Sequence, residues 1–169
     1  MTFIDSEIQE SQALGPKSYL MFQCGLETFA TPLNDVKEVA EVRPICALPG
    51  TIQCLKGVAN LGGSVVAVLD LALRLGLQPG DQSRQVFLVY DDLGGPLAAQ
   101  VDCIFGVAEI DSKNIETNIN LISSIPKQYI SGVARFRESL CVIVNLKKLL
   151  LDTEELQVEF LALNKNKVS

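Results

Sequence analysis

The sequence predicts a mainly β chain built from two similar small units, and three observations carry that prediction. The stretch Leu55 to Gly76, LKGVANLGGSVVAVLDLALRLG, reads as strand, tight turn, strand and short helix. Much of it recurs at Gly132 to Leu150, GVARFRESLCVIVNLKKLL. Upstream, Val39-Ala40-Glu41-Val42 is answered by Val107-Ala108-Glu109-Ile110, each following a hairpin-like segment.

Each element has a local reason. Gly62-Gly63 interrupts two apolar runs and takes the positive φ angles of a primed hairpin turn. Val65 to Leu69 is a β-rich apolar run too short for a helix, which predicts a strand buried on both faces or in a barrel wall. Asp70 is placed to N-cap a turn or two of helix through Leu71, Leu73 and Leu75, which Gly76 ends. Laid on Gly57 to Leu75 without a gap, the second copy pairs Gly132 with Gly57, Val133 with Val58, Ala134 with Ala59 and Ser139 with Ser64. Cys141 to Val144 then falls on Val66 to Leu69, and Asn145 becomes a second N-cap on Asp70. The same order of pieces in both halves argues for a duplicated β unit.

In chain order, residues 1–17 lack periodicity and predict a flexible tail. Tyr19, Met21 and Gln23 alternate against Leu20, Phe22 and Cys24, and Thr28 to Leu33 returns after a turn at Gly25, with Pro32 tolerable at an edge or strand end. Asn34 or Asp35 caps a short turn; Val36 and Val39 read as core, Lys37 and Glu38 as solvated. Gln78 to Arg84 is a linker that separates the two units at about 18–77 and 85–151. Gln85 to Tyr90 and Pro96 to Asp102, turning at Gly94-Gly95-Pro96, form the second leading hairpin. Ser112 to Pro126 is polar, a surface loop or the cover of a groove. After Asp152, Leu156, Phe160 and Leu163 predict a short surface helix and tail over 152–169.

Composition narrows the chemistry. A hydrophobic content of 48% is ample for a packed core, and no apolar run approaches the roughly 20 residues of a membrane-spanning helix. The acidic, polar N-terminus lacks the basic, apolar character of a secretory leader, so a cytoplasmic location is expected. The five cysteines show no CxxC spacing and predict reduced, buried thiols. There is no histidine, which removes Ser-His-Asp and Cys-His catalysis and His-containing zinc sites. A net charge of −6 disfavours nucleic acid as a partner. The least improbable reactive groups are Cys24, Asp102 and Asp111; Cys24 has no histidine to activate it, and Asp102 stands where the first copy has Asn34, which favours a capping role.

The joint order of Val36-Lys37-Glu38-Val39, Lys56-Gly57-Val58-Ala59-Asn60-Leu61, the Gly63 turn, Val65 to Leu71, Ile130-Ser131-Gly132-Val133 and Val144-Asn145-Leu146 closely resembles the CheW family, the coupling proteins of bacterial chemotaxis. The resemblance runs from about Ser18 to Leu151. It implies two five-stranded, SH3-like β-barrels side by side and a non-enzymatic adaptor without cofactor or metal. Its implied partners are the cytoplasmic tips of chemoreceptors and the regulatory domain of a CheA-type histidine kinase, without membrane insertion, though with possible recruitment to receptor arrays. Transferred by position, the partner-binding candidates are Val36, Glu38, Lys56, Gly57, Asn60 and Gly62 on the first copy, with Val107 and Gly132 on the second. The competing reading is structural: close backbone approach for Gly57 and Gly132, core packing for Val36 and Val107. The chain departs from the family at Gly62 and Ala72, where arginine is usual, and at Ala67, where proline is common. Those departures keep an alternative open, a divergent regulator in a twitching-motility or other chemosensory pathway that binds one partner only; a thiol-dependent enzyme is the reading from another class.

Overall fold

The computed structural model describes residues 15–91, 95–118 and 125–153. The predicted 152–169 helix, from residue 154 on, and most of the predicted N-terminal tail lie outside them. Among these residues eleven strands form two sheets. They are β1 (Lys17–Cys24), β2 (Glu27–Pro32), β3 (Glu38–Glu41), β4 (Ile45–Cys46), β5 (Leu55–Leu61), β6 (Ser64–Asp70), β7 (Val86–Tyr90), β8 (Leu97–Val101), β9 (Cys103–Ile110), β10 (Ile130–Phe136) and β11 (Ser139–Val144).

The duplication is structural down to its irregularities. Strands β5 and β10 are seven residues long with nearly the same burial pattern, and each shifts register just before its third residue, Gly57 or Gly132. Gly57, Val58 and Ala59 face Val68, Ala67 and Val66, while Gly132, Val133 and Ala134 face Ile143, Val142 and Cys141, the pairs that the gapless alignment requires. Helix α1 (Leu71–Leu75) begins under Asp70, whose carboxylate accepts from the Leu73 amide, and ends at Gly76 with φ 70°. The second copy repeats the device: Asn145 Oδ1 accepts from the Lys148 amide at 3.1 Å, and residues 146–153 form helix α2.

One expectation is corrected. The halves 18–77 and 85–151 do not form separate sheets. The six-stranded sheet runs β3-β7-β8-β6-β5-β4, and so takes β7 and β8, the second and third strands of that order, from the second half. The five-stranded sheet runs β10-β11-β2-β1-β9, with β1 and β2 from the first. Each leading hairpin has crossed into the sheet of the other copy, where it pairs in parallel: β2 on β11 and β8 on β6. In consequence the six-stranded unit occupies the continuous stretch 38–101, and the five-stranded one is assembled from what precedes and follows it. The end strands of each order are tied by the chain itself. Only residues 42–44 separate β3 from β4, and after β9 the chain turns back so that Glu116 bridges Val133 of β10. These joins curl each sheet into an SH3-like barrel wall.

The crossing places the apolar residues in three groups. Tyr19, Met21, Ala30, Ala134, Cys141 and Ile143 fill the five-stranded barrel, and Ala59, Val66, Val68, Phe87, Val89 and Ala98 fill the six-stranded one. The alternate residues of the leading hairpins, Leu20, Phe22, Phe29, Leu88, Tyr90 and Ala99, form a central layer with Leu71, Leu75, Leu146, Leu149 and Leu150. Among the described residues, nine of the twelve largest fully buried side chains lie in that layer. At roughly 1.5–3 kcal/mol for each such burial, the layer outweighs either barrel interior, so the barrels stabilise one another. Arg74 of α1 fastens the layer at its rim: its Nε donates to Thr153 Oγ1 at 2.8 Å, and its guanidinium lies 5.6 Å from the centre of the Tyr129 ring.

Candidate partner-binding surfaces

The predicted site residues fall in three places. The chain enters the first after Pro32, through a 3-10 turn at Leu33–Asp35. Val36 packs, partly buried, against the central layer, which supports the packing role for it. On β3, an edge strand hydrogen-bonded on one side to β7, Ala40 faces the barrel interior while Glu38, Val39 and Glu41 are exposed. Val39, read as core, is thus 46% exposed, because the period of two in a strand sends it opposite to Ala40. Lys37 pairs with Asp91 at 3.0 Å, and that hydrogen bond and the Asp91 charge hold its pKa above the ordinary value.

Lys56, Gly57, Asn60 and Gly62 lie together on the β5–β6 hairpin. Gly57 has φ 145°, and a Cβ there would run into the carbonyl of Cys46 where β4 crosses. It is a close-approach glycine. Lys56 Nζ stands 3.9 Å from Asp70 Oδ2. Asn60 Oδ1 accepts from the Gly63 amide at 3.0 Å, so this exposed side chain also ties the turn. Gly62 and Gly63, with φ 57° and 88°, stand in open space.

In the five-stranded barrel, Gly132 is buried, and a Cβ would press on Ile115 Cγ2 and the Glu116 carbonyl. Val107 is 57% exposed on edge strand β9, which excludes core packing for it. The two positions therefore sit in unlike settings, one closing a wall and one on a surface. A cleft of about 430 Å³, lined by Glu109, Ile110, Asn114, Ala134 and Arg135, opens nearby.

Sequence reasoning missed the hairpin tips. Val65, read as part of a buried run, is 68% exposed, as is its counterpart Leu140. The tip residues that face Gly62-Gly63 in the alignment are Arg137 and Glu138, both non-glycine with positive φ, 47° and 63°. The Arg137 guanidinium lies over the rings of Phe136 and Phe105, 5.1 and 5.9 Å from their centres. The gapless alignment contained this signal, since it sets an arginine against Gly62.

The candidate reactive groups have structural work. Cys24 is buried, and burial, with the Asp102 and Asp70 charges, pushes its thiol far above the ordinary range. Asp102 is buried beneath the Gly25 turn, accepting the Gly25 amide at 2.7 Å and Gln85 Nε2 at 3.4 Å. Gly80 of the linker lies against the same turn, with no space for a side chain. Asp111 caps the 3-10 turn Ser112–Asn114 through the Lys113 amide. No group of three or more His, Cys, Asp and Glu side chains fit to hold a metal occurs among the described residues.

Two curled sheets with few and short helices, joined through a shared apolar layer and presenting exposed edges and hairpin tips, define a protein-binding scaffold of the CheW-like fold. Residues 18–154 match the CheW-like domain family, and the chain belongs to it. A probable chemotaxis protein CheW of Rhizobium etli is 26% identical over 141 residues, covering 83% of this chain and 91% of its own length. Protein PilI of Pseudomonas aeruginosa is 29% identical over 126 residues, 73% of this chain and 70% of its own. Among solved structures, the scaffolding protein TtCheW of Thermoanaerobacter tengcongensis superposes with a TM-score of 0.71 at 27% identity, over 79% of this chain and 87% of that one. No helix among the described residues is long and apolar enough to cross a membrane.

Proposed function

We propose that this protein is a non-enzymatic adaptor that joins the cytoplasmic tips of chemoreceptors to the regulatory domain of a CheA-type histidine kinase, acting in the cytoplasm and recruited to receptor arrays. The observation that carries the reading is the match of the CheW-like domain over residues 18–154. The exposed β3 edge supports it, because it offers the Glu38 carboxylate and, on its outer face, Val39 with Glu41, while Lys37 is already paired. Lys56, Asn60, Gly62 and Val107 are the remaining exposed or half-exposed candidates. Co-sedimentation with receptor-bearing membranes tests the bridge: the chain should retain the kinase on the membranes, and loss of the kinase in its presence would overturn the reading. Glu38→Lys should weaken retention while the unfolding midpoint stays nearly constant, since exposed substitutions cost within about 0.5 kcal/mol.

A second reading has its own observation. Gly62 presents no side chain where the family resemblance leads one to expect arginine, and the likeness to PilI extends beyond proteins bearing the chemotaxis name. A regulator of a twitching-motility or other chemosensory pathway that holds one partner only would sediment with that partner and not carry the second.

A further inference from the structure

We infer that the cleft between β9 and β10 binds a small zwitterion of the α-amino acid class. It lies on the seam of the five-stranded barrel, where β9 and β10, the two end strands of the sheet order, come round toward one another. In the other barrel the corresponding seam is laced by β4, which pairs Ile45 with Ala59 and Cys46 with Val58 of β5. Here the ladder stops after one bridge, Glu116 to Val133. Its next step would set Asn114 opposite Arg135, but the 3-10 turn Ser112–Asn114 commits the Asn114 amide to the Asp111 carbonyl at 2.9 Å. The space left by the interrupted ladder is the cleft of about 430 Å³.

The groups that recognise an amino acid converge on it. Val133 exchanges both of its backbone hydrogen bonds with Glu116, and alternate residues of a strand direct N–H and C=O to the same side, so those of Arg135 point into the cleft. The Arg135 side chain lines the β10 wall and the Glu109 carboxylate the β9 wall. The two are not ion-paired, with each other or with any other of the described residues, whereas the charges of the intervening turn, Lys113 and Asp111, pair with one another at 4.0 Å. Ile110 and Ala134, both largely buried, form an apolar floor. A guanidinium with a backbone N–H beside it suits a carboxylate, and a carboxylate with a backbone carbonyl suits an ammonium. Opposite charges held apart over an apolar floor fit a ligand that carries both and a short aliphatic side chain. A ligand with one charge only would set that charge against its like on one wall.

The experiment needs only the purified chain and L-valine as probe, so its outcome is independent of receptor and kinase. Titrated valine should shift the backbone amide resonances of Glu109, Ala134 and Arg135 saturably. Valinamide, which has the ammonium alone and stands for a peptide N-terminus, and N-acetylvaline, which has the carboxylate alone and stands for a C-terminus, should each bind at least about tenfold more weakly. Those comparisons use the parent chain and so cannot be confused with misfolding. Glu109→Gln and Arg135→Gln should each weaken valine by about tenfold or more with an unchanged unfolding midpoint, since both side chains are exposed, and Arg135→Lys should lose less. No saturable shift at millimolar valine, shifts that fall elsewhere on the chain, or variants that bind like the parent would each overturn the inference. Equal binding of valinamide or N-acetylvaline would overturn it too, and would assign the cleft to a peptide terminus.

Discussion

The two central hairpins reach one backbone by different means. At the β5–β6 tip, Gly62 and Gly63 adopt positive φ without a side chain to object, and Asn60 ties the turn. At the β10–β11 tip, Arg137 and Glu138 hold the same left-handed angles. A non-glycine residue there costs about 1 kcal/mol, an amount the two cation–ring contacts of Arg137 can offset in part. The conformation is thus demanded by the barrel, which needs a two-residue turn to keep register, and the sequence supplies it either permissively or under strain. The strained copy has gained a functional group at its tip, and the permissive one has none.

The largest test of this equivalence lies at the glycines that close the walls. Gly57→Ala should cost about 3 kcal/mol or more, because φ 145° disfavours any side chain and the obstruction is the Cys46 backbone. Gly132→Ala should cost less, roughly 1–3 kcal/mol, since Ile115 is a side chain that can shift although the Glu116 carbonyl remains close. Urea midpoints of the two variants decide it, and equal losses would mean the two closures are alike. Next in size, Asp102→Ala should cost about 2–3 kcal/mol by stranding the buried Gly25 amide, whereas Asn34→Ala at the equivalent, exposed position should stay within about 0.5 kcal/mol. A mild Asp102 variant would show that the turn finds another acceptor. Smallest is the exchange of tips: Gly62→Arg should destabilise by about 1 kcal/mol, and Arg137→Gly should stabilise by less than that because ring contacts are lost with the strain. Two destabilised variants would refute strain at Arg137.

What was legible in the sequence was local. The turn at Gly62-Gly63, the caps at Asp70 and Asn145, and the repeat from Gly57 onto Gly132 rest on neighbours a few residues apart, and the structure keeps each. The crossing of the leading hairpins was not legible. Tyr19, Met21 and their alternates Leu20 and Phe22 would be buried on both faces in whichever barrel β1 joined, so the pattern is blind to the choice. Val39 and Val65 misled for a related reason: an apolar run of β-branched residues signals a strand but does not say which members lie at an edge or a tip. Of the candidate residues, the exposure of Glu38 was legible in the sequence and that of Val107 was left open against core packing, while Gly57 and Gly132 prove to have backbone work that accounts for them without a partner.

The nesting of one barrel inside the sequence of the other sets an order on synthesis. Strands β3 to β8 emerge consecutively and can pair with one another as they leave the ribosome. Strands β1 and β2 emerge before them but must wait for β9 and β11, beyond the whole inserted barrel, which at 5–20 residues per second is a delay of several seconds. Throughout that interval Leu20, Phe22 and Phe29 lack the closing strands of their own barrel and can be covered only by the newly formed outer face of the other. The early barrel would then act as an intramolecular chaperone for the late one, and substitutions in the central layer would lower the yield of nascent chain before they lowered the stability of the finished protein.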